Sequence, residues 1–333
     1  MVTLADIARH ANVSSGTVSR VLNNKTDYPV SGPTVERIRR AAAELGYRPN
    51  VMARALATGK AQAIGLCYHS ITEPMFIRIL EAAEAKARER GYHLIVSSNP
   101  ESFFAGSIVD GLVYIGGLSH PRVQEFARHK PVVFVGPSDF RGSACGPNTV
   151  TWSEYEAAFM AVKHLAGLGH RTIGALWGDD DPALLLRLEG FRAALTEFGL
   201  TGVEETGEQD PDPTRRGYLQ MERLLGREPR PTAVFARNDY LALGALKQLF
   251  EAGVSVPREM SVIYYGNSVL ARAAYVELSS VSHPNAEASV VALEQLIAMI
   301  DEGVREFPNV SLPITLCEHD SCVSPAPSLS TSP

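Results

Sequence analysis

Apolar residues follow two patterns along this chain. From Ala63 onward they gather into short, nearly continuous runs: Ala63–Cys67, Tyr92–Val96, Gly111–Ile115, Val132–Val135, Thr172–Leu176, Ala233–Ala236 and Val262–Tyr265. Helical stretches separate most of them, at Phe76–Arg90, Glu154–Gly167, Leu184–Phe198 and Tyr240–Ala252. Runs that are apolar on both faces predict strands buried on both sides. Their alternation with helices predicts parallel sheets covered on both faces. Strand count and chain length suggest two such units. Before Ala63 the apolar positions recur at helical spacing instead.

That first segment reads as three short helices. Thr3-Leu-Ala-Asp6 sets a capping hydroxyl three residues before a carboxylate, and Leu4, Ile7, Ala8 and Ala11 form one apolar face. Asn12 suits a left-handed turn. Ser14 can cap a second helix, Ser15 to Asn23, with Val18, Val21 and Leu22 inside. Its outer face is Ser15, Gly16, Thr17, Ser19, Arg20 and Asn23, with no acid. A third helix, about Pro33 to Leu45, adds Val35, Ile38, Ala42 and Leu45. Two short helices joined by a tight turn, the second polar outside, form a helix-turn-helix able to enter a major groove. Pro49 and Asn50 then start a short stretch closed by Gly59. Its small face, Ala53 and Ala57 around Leu56, suits a partner helix and an apolar wedge, or a plain linker.

Charge sharpens this division. Met1 to Lys60 carry nine basic residues against four acids, whereas the whole chain has 31 against 37, leaving 22 against 33 in the remainder. A basic head on an acidic body points to a polyanion partner for the head alone. No window is long or apolar enough to span a membrane, and the first residues lack a signal region. Four scattered cysteines fit a reducing compartment, so a cytoplasmic location is expected. Cys317 to Cys322 match no common zinc spacing. Gly178-Asp-Asp-Asp181, His69-Ser70 and His283 could suggest metal or acid–base chemistry, but none has a partner at diagnostic spacing, so no enzyme is expected. A secreted solute-binding protein would share the core but would have a signal and no head.

Thr3-Leu-Ala-Asp-Ile-Ala8, Asn12-Val-Ser14, Thr17-Val-Ser-Arg-Val-Leu-Asn23 and Gly46-Tyr-Arg-Pro-Asn50 resemble the head of the LacI/GalR family of bacterial transcription regulators. Asn50-x-x-Ala-Arg-x-Leu-x-Thr-Gly59 is similar to that family's hinge helix. The resemblance implies a small all-α helix-turn-helix head (1–48), a hinge helix and linker (49–60), and a two-lobed, periplasmic-binding-protein-like α/β core (61–323). Lobe one would take about 61–151 and 285–313, lobe two about 154–283 and 315–323; the proline- and serine-rich composition of 324–333 separately predicts a disordered tail. It places DNA contacts on Thr3, Leu4, Ser14, Ser15, Gly16, Thr17, Ser19, Arg20, Asn23, Ser31, Thr34, Tyr47, Asn50, Ala53, Arg54 and Leu56. In the family, paired hinge helices enter the minor groove and a leucine opens the central base step; Leu56 holds that position. The implied protein is a homodimer on a pseudo-palindromic double-stranded operator, with no cofactor. It would be a repressor of a catabolic or transport operon, controlled by a small-molecule effector.

Ligands of such cores sit at strand carboxyl ends between the lobes. The resemblance places Phe76, Trp152, Arg187, Asn238 and Gly266 there, with Asp239 capping the following helix. The sequence also departs from the family. Gly266 stands where many members have a sugar-binding carboxylate, Trp152-Ser153 replaces Asp-Asn, and Asp212 stands for an aromatic platform. The crossover from Ser97 to Asp110 has only about a dozen residues, the lower limit for a parallel connection, so a helix there is shortened. Keeping Arg187 while losing acceptors favours an anionic effector; a neutral sugar stacked on Trp152 is the competing expectation. A degenerate cleft, leaving a constitutive DNA binder or one answering to a protein, is the alternative.

Overall fold

The computed structural model describes residues 2–22, 30–47, 60–68, 75–104, 108–116, 120–138, 146–178, 182–207 and 210–325. The chain divides into two compact units, Met1–Ala61 and Gln62–Pro333.

In the first unit, helix α1 (Leu4–His10) starts at a reciprocal cap. Thr3 N donates to Asp6 Oδ2 at 3.0 Å, and Asp6 N donates to Thr3 Oγ1 at 3.3 Å. Asn12 takes φ 50°, the left-handed turn its short amide side chain tolerates. Ser14 Oγ accepts from Thr17 N at 3.1 Å and opens α2 (Ser15–Leu22). Helix α3 (Gly32–Glu44) completes a core of Ile7, Ala8, Ala11, Val18, Val21, Ile38, Ala41 and Ala42. Arg37 Nε donates to the Ala11 carbonyl at 2.9 Å, and His10 Nε2 lies 3.0 Å from Glu44 Oε2, so polar contacts tie α3 to the end of α1. So small a core leaves little margin, and these local caps matter correspondingly.

The second unit begins with β1 (Ala63–Tyr68), α4 (Phe76–Glu89), β2 (His93–Ser97), β3 (Gly111–Ile115), α5 (Pro121–Ala127), β4 (Val132–Pro137) and β5 (Thr149–Trp152). It continues with α6 (Glu154–Leu168), β6 (Thr172–Leu176), α7 (Pro182–Phe198), β7 (Thr201–Glu205), α8 (Pro213–Leu225), β8 (Ala233–Ala236), α9 (Asp239–Glu251), β9 (Ser261–Tyr265), α10 (Val269–Arg272) and β10 (Ser279–Ser282). Helix α11 (Asn285–Asp301), β11 (Val310–Ser311) and β12 (Thr315–Cys317) follow.

These strands form two six-stranded sheets, ordered β11-β5-β4-β3-β1-β2 and β12-β10-β9-β8-β6-β7. Pairing is parallel throughout except for β12, which runs antiparallel to β10. The chain leaves the first sheet after Trp152, returns after Ser282, and crosses again between Ser311 and Thr315. The β2–β3 crossover holds a single 3-10 turn, Pro100–Phe103, among its described residues.

Strands β5, β7, β10, β11 and β12 lack an apolar run and escape the hydrophobic pattern. They lie at the sheet edges or beside them. Their buried hydroxyls have tertiary partners instead: Thr149 Oγ1 donates to Asn309 Oδ1 at 2.9 Å, and Ser279 Oγ donates to the His319 carbonyl at 3.1 Å. Residues 69–70 and 179–181, which include two of the motifs weighed for catalysis, lie outside the described residues, as does 326–333 of the tail.

Candidate functional site: an acid-free helix and an interlobe cavity

On the head, α2 presents Ser14, Ser15 and Gly16 to solvent, with Thr17, Ser19 and Arg20 half-buried beside them. A β-carbon at Gly16 would lie 3.7 Å from Arg20 Nη2, so the guanidinium lies back along the helix over Gly16. Ser14 Oγ and Thr17 Oγ1 are 2.9 Å apart, and so are Ser31 Oγ and Thr34 Oγ1. The Thr3 hydroxyl belongs to the cap of α1, while Leu4 and Tyr47 pack against the head core. Asn23, Asn50, Ala53, Arg54 and Leu56 lie outside the described residues. A short helix with no acid, small side chains and a donor-rich arginine can approach base edges and phosphates without charge repulsion.

In the second unit a cavity of about 170 Å³ opens where strands of both sheets end. Tyr68, Ile115, Pro137 and Trp152 reach it from β1, β3, β4 and β5. Arg237, Tyr265 and His283 reach it from the ends of β8, β9 and β10. Carboxyl ends of parallel strands gather ligand-binding loops in open α/β sheets. Arg78 Nη1 donates to the Asn267 carbonyl at 3.3 Å, linking α4 of the first sheet to the loop after β9. A second cavity, about 320 Å³, lies against Phe103, Phe104 and Phe126. Its Arg122 is already paired with Glu101 at 2.9 Å, and no strand end reaches it.

Packing brings Arg187 and Glu154 together. At Gly190 a β-carbon would overlap the Tyr155 carbonyl, so only glycine lets α7 lie directly on the first turn of α6. Phe191 then anchors α7 edge-on to Trp177, centroids 5.4 Å apart. Arg187 Nε consequently lies 2.8 Å from Glu154 Oε2, and both side chains are nearly out of solvent, at 10% and 4% exposed. Neither atom has an aligned hydrogen bond, so charge rather than N–H direction holds this contact.

The remaining groups are engaged as well. Glu154 Oε1 accepts from Trp152 Nε1 at 2.9 Å and from the Tyr265 hydroxyl at 2.7 Å. Arg187 Nη1 donates to the Arg237 carbonyl at 3.1 Å, and its guanidinium lies 4.6 Å from the Tyr265 ring centre. Burial, reinforced by the Glu154 charge, raises the Tyr265 phenol well above its ordinary value. Burial pushes His283 down to about 4, against the opposing pull of Glu154, so the imidazole is neutral.

Several expectations for the cavity need correction. Phe76 is buried in a parallel stack on Tyr68, centroids 5.1 Å apart, and is not among the cavity-lining residues; its neighbour Met75 lines the cavity instead. Gly266 is also absent from the lining. A β-carbon there would meet Asp239 Oδ2 at 2.7 Å, and its φ of +147° favours glycine, so the position has no room for a carboxylate. Asn238, not Asp239, caps α9: its Oδ1 accepts from Leu241 N at 3.0 Å. Asp239 is buried and accepts from Ser268 N at 3.3 Å; burial raises its carboxyl against hydrogen bonds from Ser268 and Tyr264. Trp152 lines the cavity, but its 4% exposure and bonded indole make it a wall rather than an open stacking face.

Glu154, absent from the residues that the family resemblance places in the cleft, lies in the cavity wall. A carboxylate in the crossover two residues after Trp152 was the available signal. Asp212 is an N-cap, accepting from Thr214 N at 2.8 Å. Cys322 Sγ donates to the Val262 carbonyl at 3.3 Å, and burial raises its thiol to about 11. Among the described residues no group of three or more His, Cys, Asp or Glu side chains could hold a metal ion, and no helix is long and apolar enough to cross a membrane.

Comparison with known proteins matches both units. The family described as "Bacterial regulatory proteins, lacI family" matches residues 3–50, and "Periplasmic binding protein-like domain" matches 162–322. The ribose operon repressor of Escherichia coli (strain K12) is 30% identical over 336 residues, covering 96% of this chain and 100% of that protein. The HTH-type transcriptional repressor PurR of Erwinia tasmaniensis is 33% identical over 335 residues, covering 96% and 97%. The lac repressor dimer bound to operator and the anti-inducer ONPF superposes with a TM-score of 0.81 at 27% identity, covering 97% of this chain and 99% of that one.

Proposed function

Because the chain belongs to the LacI family of bacterial regulatory proteins, we propose that it is a sequence-specific transcriptional repressor that binds a pseudo-palindromic operator as a homodimer and answers to a small molecule held in the interlobe cavity. The observation that carries this reading is the joining, in one chain, of an acid-free exposed α2 on a basic head to a cavity walled by strand ends of two parallel sheets. The relatives named above are repressors, which supports the same reading.

In this reading α2 enters the major groove. Arg20 reads a base edge, while Ser14, Ser15, Gly16, Thr17 and Ser19 allow close approach. Thr3, Leu4, Ser31, Thr34 and Tyr47 position the head on the backbone, and the stretch around Leu56 enters the minor groove. Trp152, Arg187 and Asn238 shape the effector cavity. One recognition helix covers few base pairs, so useful affinity needs two heads. Phe250, Tyr275, Val269 and Leu270 are 72%, 60%, 52% and 45% exposed around the end of α9 and α10, an apolar patch suited to a second copy. The protein acts in the cytoplasm, on DNA, and performs no catalysis. Selection from a random duplex pool tests the proposal: two related half-sites should be enriched, and an unenriched pool would refute it.

A further inference from the structure

We propose that the cavity beneath the shortened β2–β3 crossover is a second small-molecule site, built for an aromatic carboxylate that stacks on Phe104 and Phe126 and pairs with Lys130. The site is separate from the interlobe cavity and goes beyond the reading given above. At about 320 Å³ it is the larger of the two. Small-molecule sites run from roughly 300 to 1,000 Å³, so this one suits a ligand of one or two rings.

The 3-10 turn Pro100–Phe103 builds the apolar wall. Its last residue, Phe103, is buried over Gly65 of β1, where a β-carbon would stand 3.0 Å from the ring. Phe104, next in the chain, is left half-buried against Phe126 of α5, centroids 5.4 Å apart. Arg122 ties the turn to α5. Its Nε and Nη2 donate to the two Glu101 oxygens at 2.9 and 3.1 Å, and its guanidinium lies 5.6 Å from the Phe104 ring centre. The wall is therefore fixed before a ligand arrives, which lowers the cost of binding.

Charge around this wall is unbalanced. Arg122 is matched by Glu101 and by Glu125, which accepts from its Nη1 at 3.1 Å. His129 stands exposed at the rim. Lys130, which also lines the cavity, has no such match: its Nζ donates to the Val109 carbonyl, and among the described residues no carboxylate lies within ion-pair distance of it. Asp110 attracts it from farther off while accepting from Gln62 N at 2.7 Å. Burial accordingly holds the Lys130 amine below its ordinary value. The Val109 carbonyl uses one of three N–H donors. A carboxylate beside the aromatic wall would take a free donor in a charge-assisted hydrogen bond and balance the charge. A neutral ring would gain the wall alone, and a non-aromatic acid the charge alone.

Isothermal titration of the full chain with benzoate and naphthoate, with their neutral amides, and with cyclohexanecarboxylate tests this inference. Naphthoate should bind about tenfold or more tighter than its amide, the factor that a hydrogen bond to a charged group supplies. Lys130→Met, which keeps an unbranched apolar stem, should erase that difference, whereas His283→Gln in the interlobe cavity should leave it intact. Phe126→Leu should weaken acid and amide alike. With naphthoate bound, the Lys130 amine, followed by NMR of labelled lysine, should titrate at higher pH. Equal affinity for acid and amide would overturn the carboxylate assignment, and equal affinity for benzoate and cyclohexanecarboxylate the aromatic one. Naphthoate binding that survives Lys130→Met and is lost in His283→Gln would belong to the interlobe cavity and overturn the second site. So would failure of the unmodified chain to bind either aromatic acid. Each of these outcomes leaves the repressor reading standing.

Discussion

Arg187 and Glu154 form a buried ion pair at 2.8 Å across the contact between α6 and α7. Removing one partner strands the other charge in a site that cannot solvate it. Arg187→Met is therefore expected to cost about 3–5 kcal/mol, whereas Arg187→Met with Glu154→Leu, which removes both charges, should cost clearly less than the two single changes added together. Urea denaturation of the three variants measures this; additive losses would show that the pair is not coupled.

The same contact depends on Gly190. Gly190→Ala forces a β-carbon into the Tyr155 carbonyl and should destabilise by about 1–3 kcal/mol while displacing Arg187. Gly167, exposed within α6, has nothing within 4 Å of such a β-carbon, so Gly167→Ala should stabilise by about 0.4–1 kcal/mol. Thermal melts of the two variants should move in opposite directions.

Much of this architecture is legible in sequence where the controlling physics is local. The Thr3–Asp6 cap, the left-handed Asn12 and the apolar runs of the central strands need only near neighbours. The family resemblance gives the cap at Asn238-Asp239 to the wrong residue; Asn and Asp are about equally good caps, and only the burial of Asp239 against Ser268 separates them. Glu154 looks like an ordinary first-turn acid until Gly190, far along the chain, lets α7 approach it. Family position places Phe76 and Gly266 in the cavity, but packing against Tyr68 and Asp239 decides their surroundings. Strand β10, Ser279–Ser282, is polar in sequence and buried in the fold because distant groups satisfy Ser279: its hydroxyl donates to the His319 carbonyl and its backbone N to Ser321 Oγ.

His283 gives the core a pH dependence. Unfolded, it takes up a proton near the ordinary 6.5; folded, burial delays this to about 4. Between those values the unfolded state binds more protons, so stability falls as pH falls. His170, also shifted down chiefly by burial, acts in the same direction. Denaturation midpoints should drop from pH 6.5 toward pH 4, and His283→Gln should flatten part of that slope. An identical slope in the variant would remove His283 from the account.

On the head, Arg20 is the long donor on the outer side of α2. Arg20→Ala should weaken operator binding by about 1–3 kcal/mol and relax specificity at one position per half-site, measured by competition with single-base variants of the selected duplex. A loss equal for every sequence would make Arg20 a phosphate contact instead.

Leu56 is expected to act only on DNA. Leu56→Ala should leave the urea midpoint of the core unchanged, weaken operator binding and reduce the bend seen by energy transfer between duplex ends. Unchanged affinity and bend would return residues 49–60 to the role of a linker.

Sedimentation velocity of the selected operator duplex at saturating protein counts the heads on one pseudo-palindrome. Two chains per duplex are expected. A duplex carrying one half-site should bind far more weakly. A single chain per duplex, with equal affinity for one half-site and two, would rule out a dimer reading two half-sites.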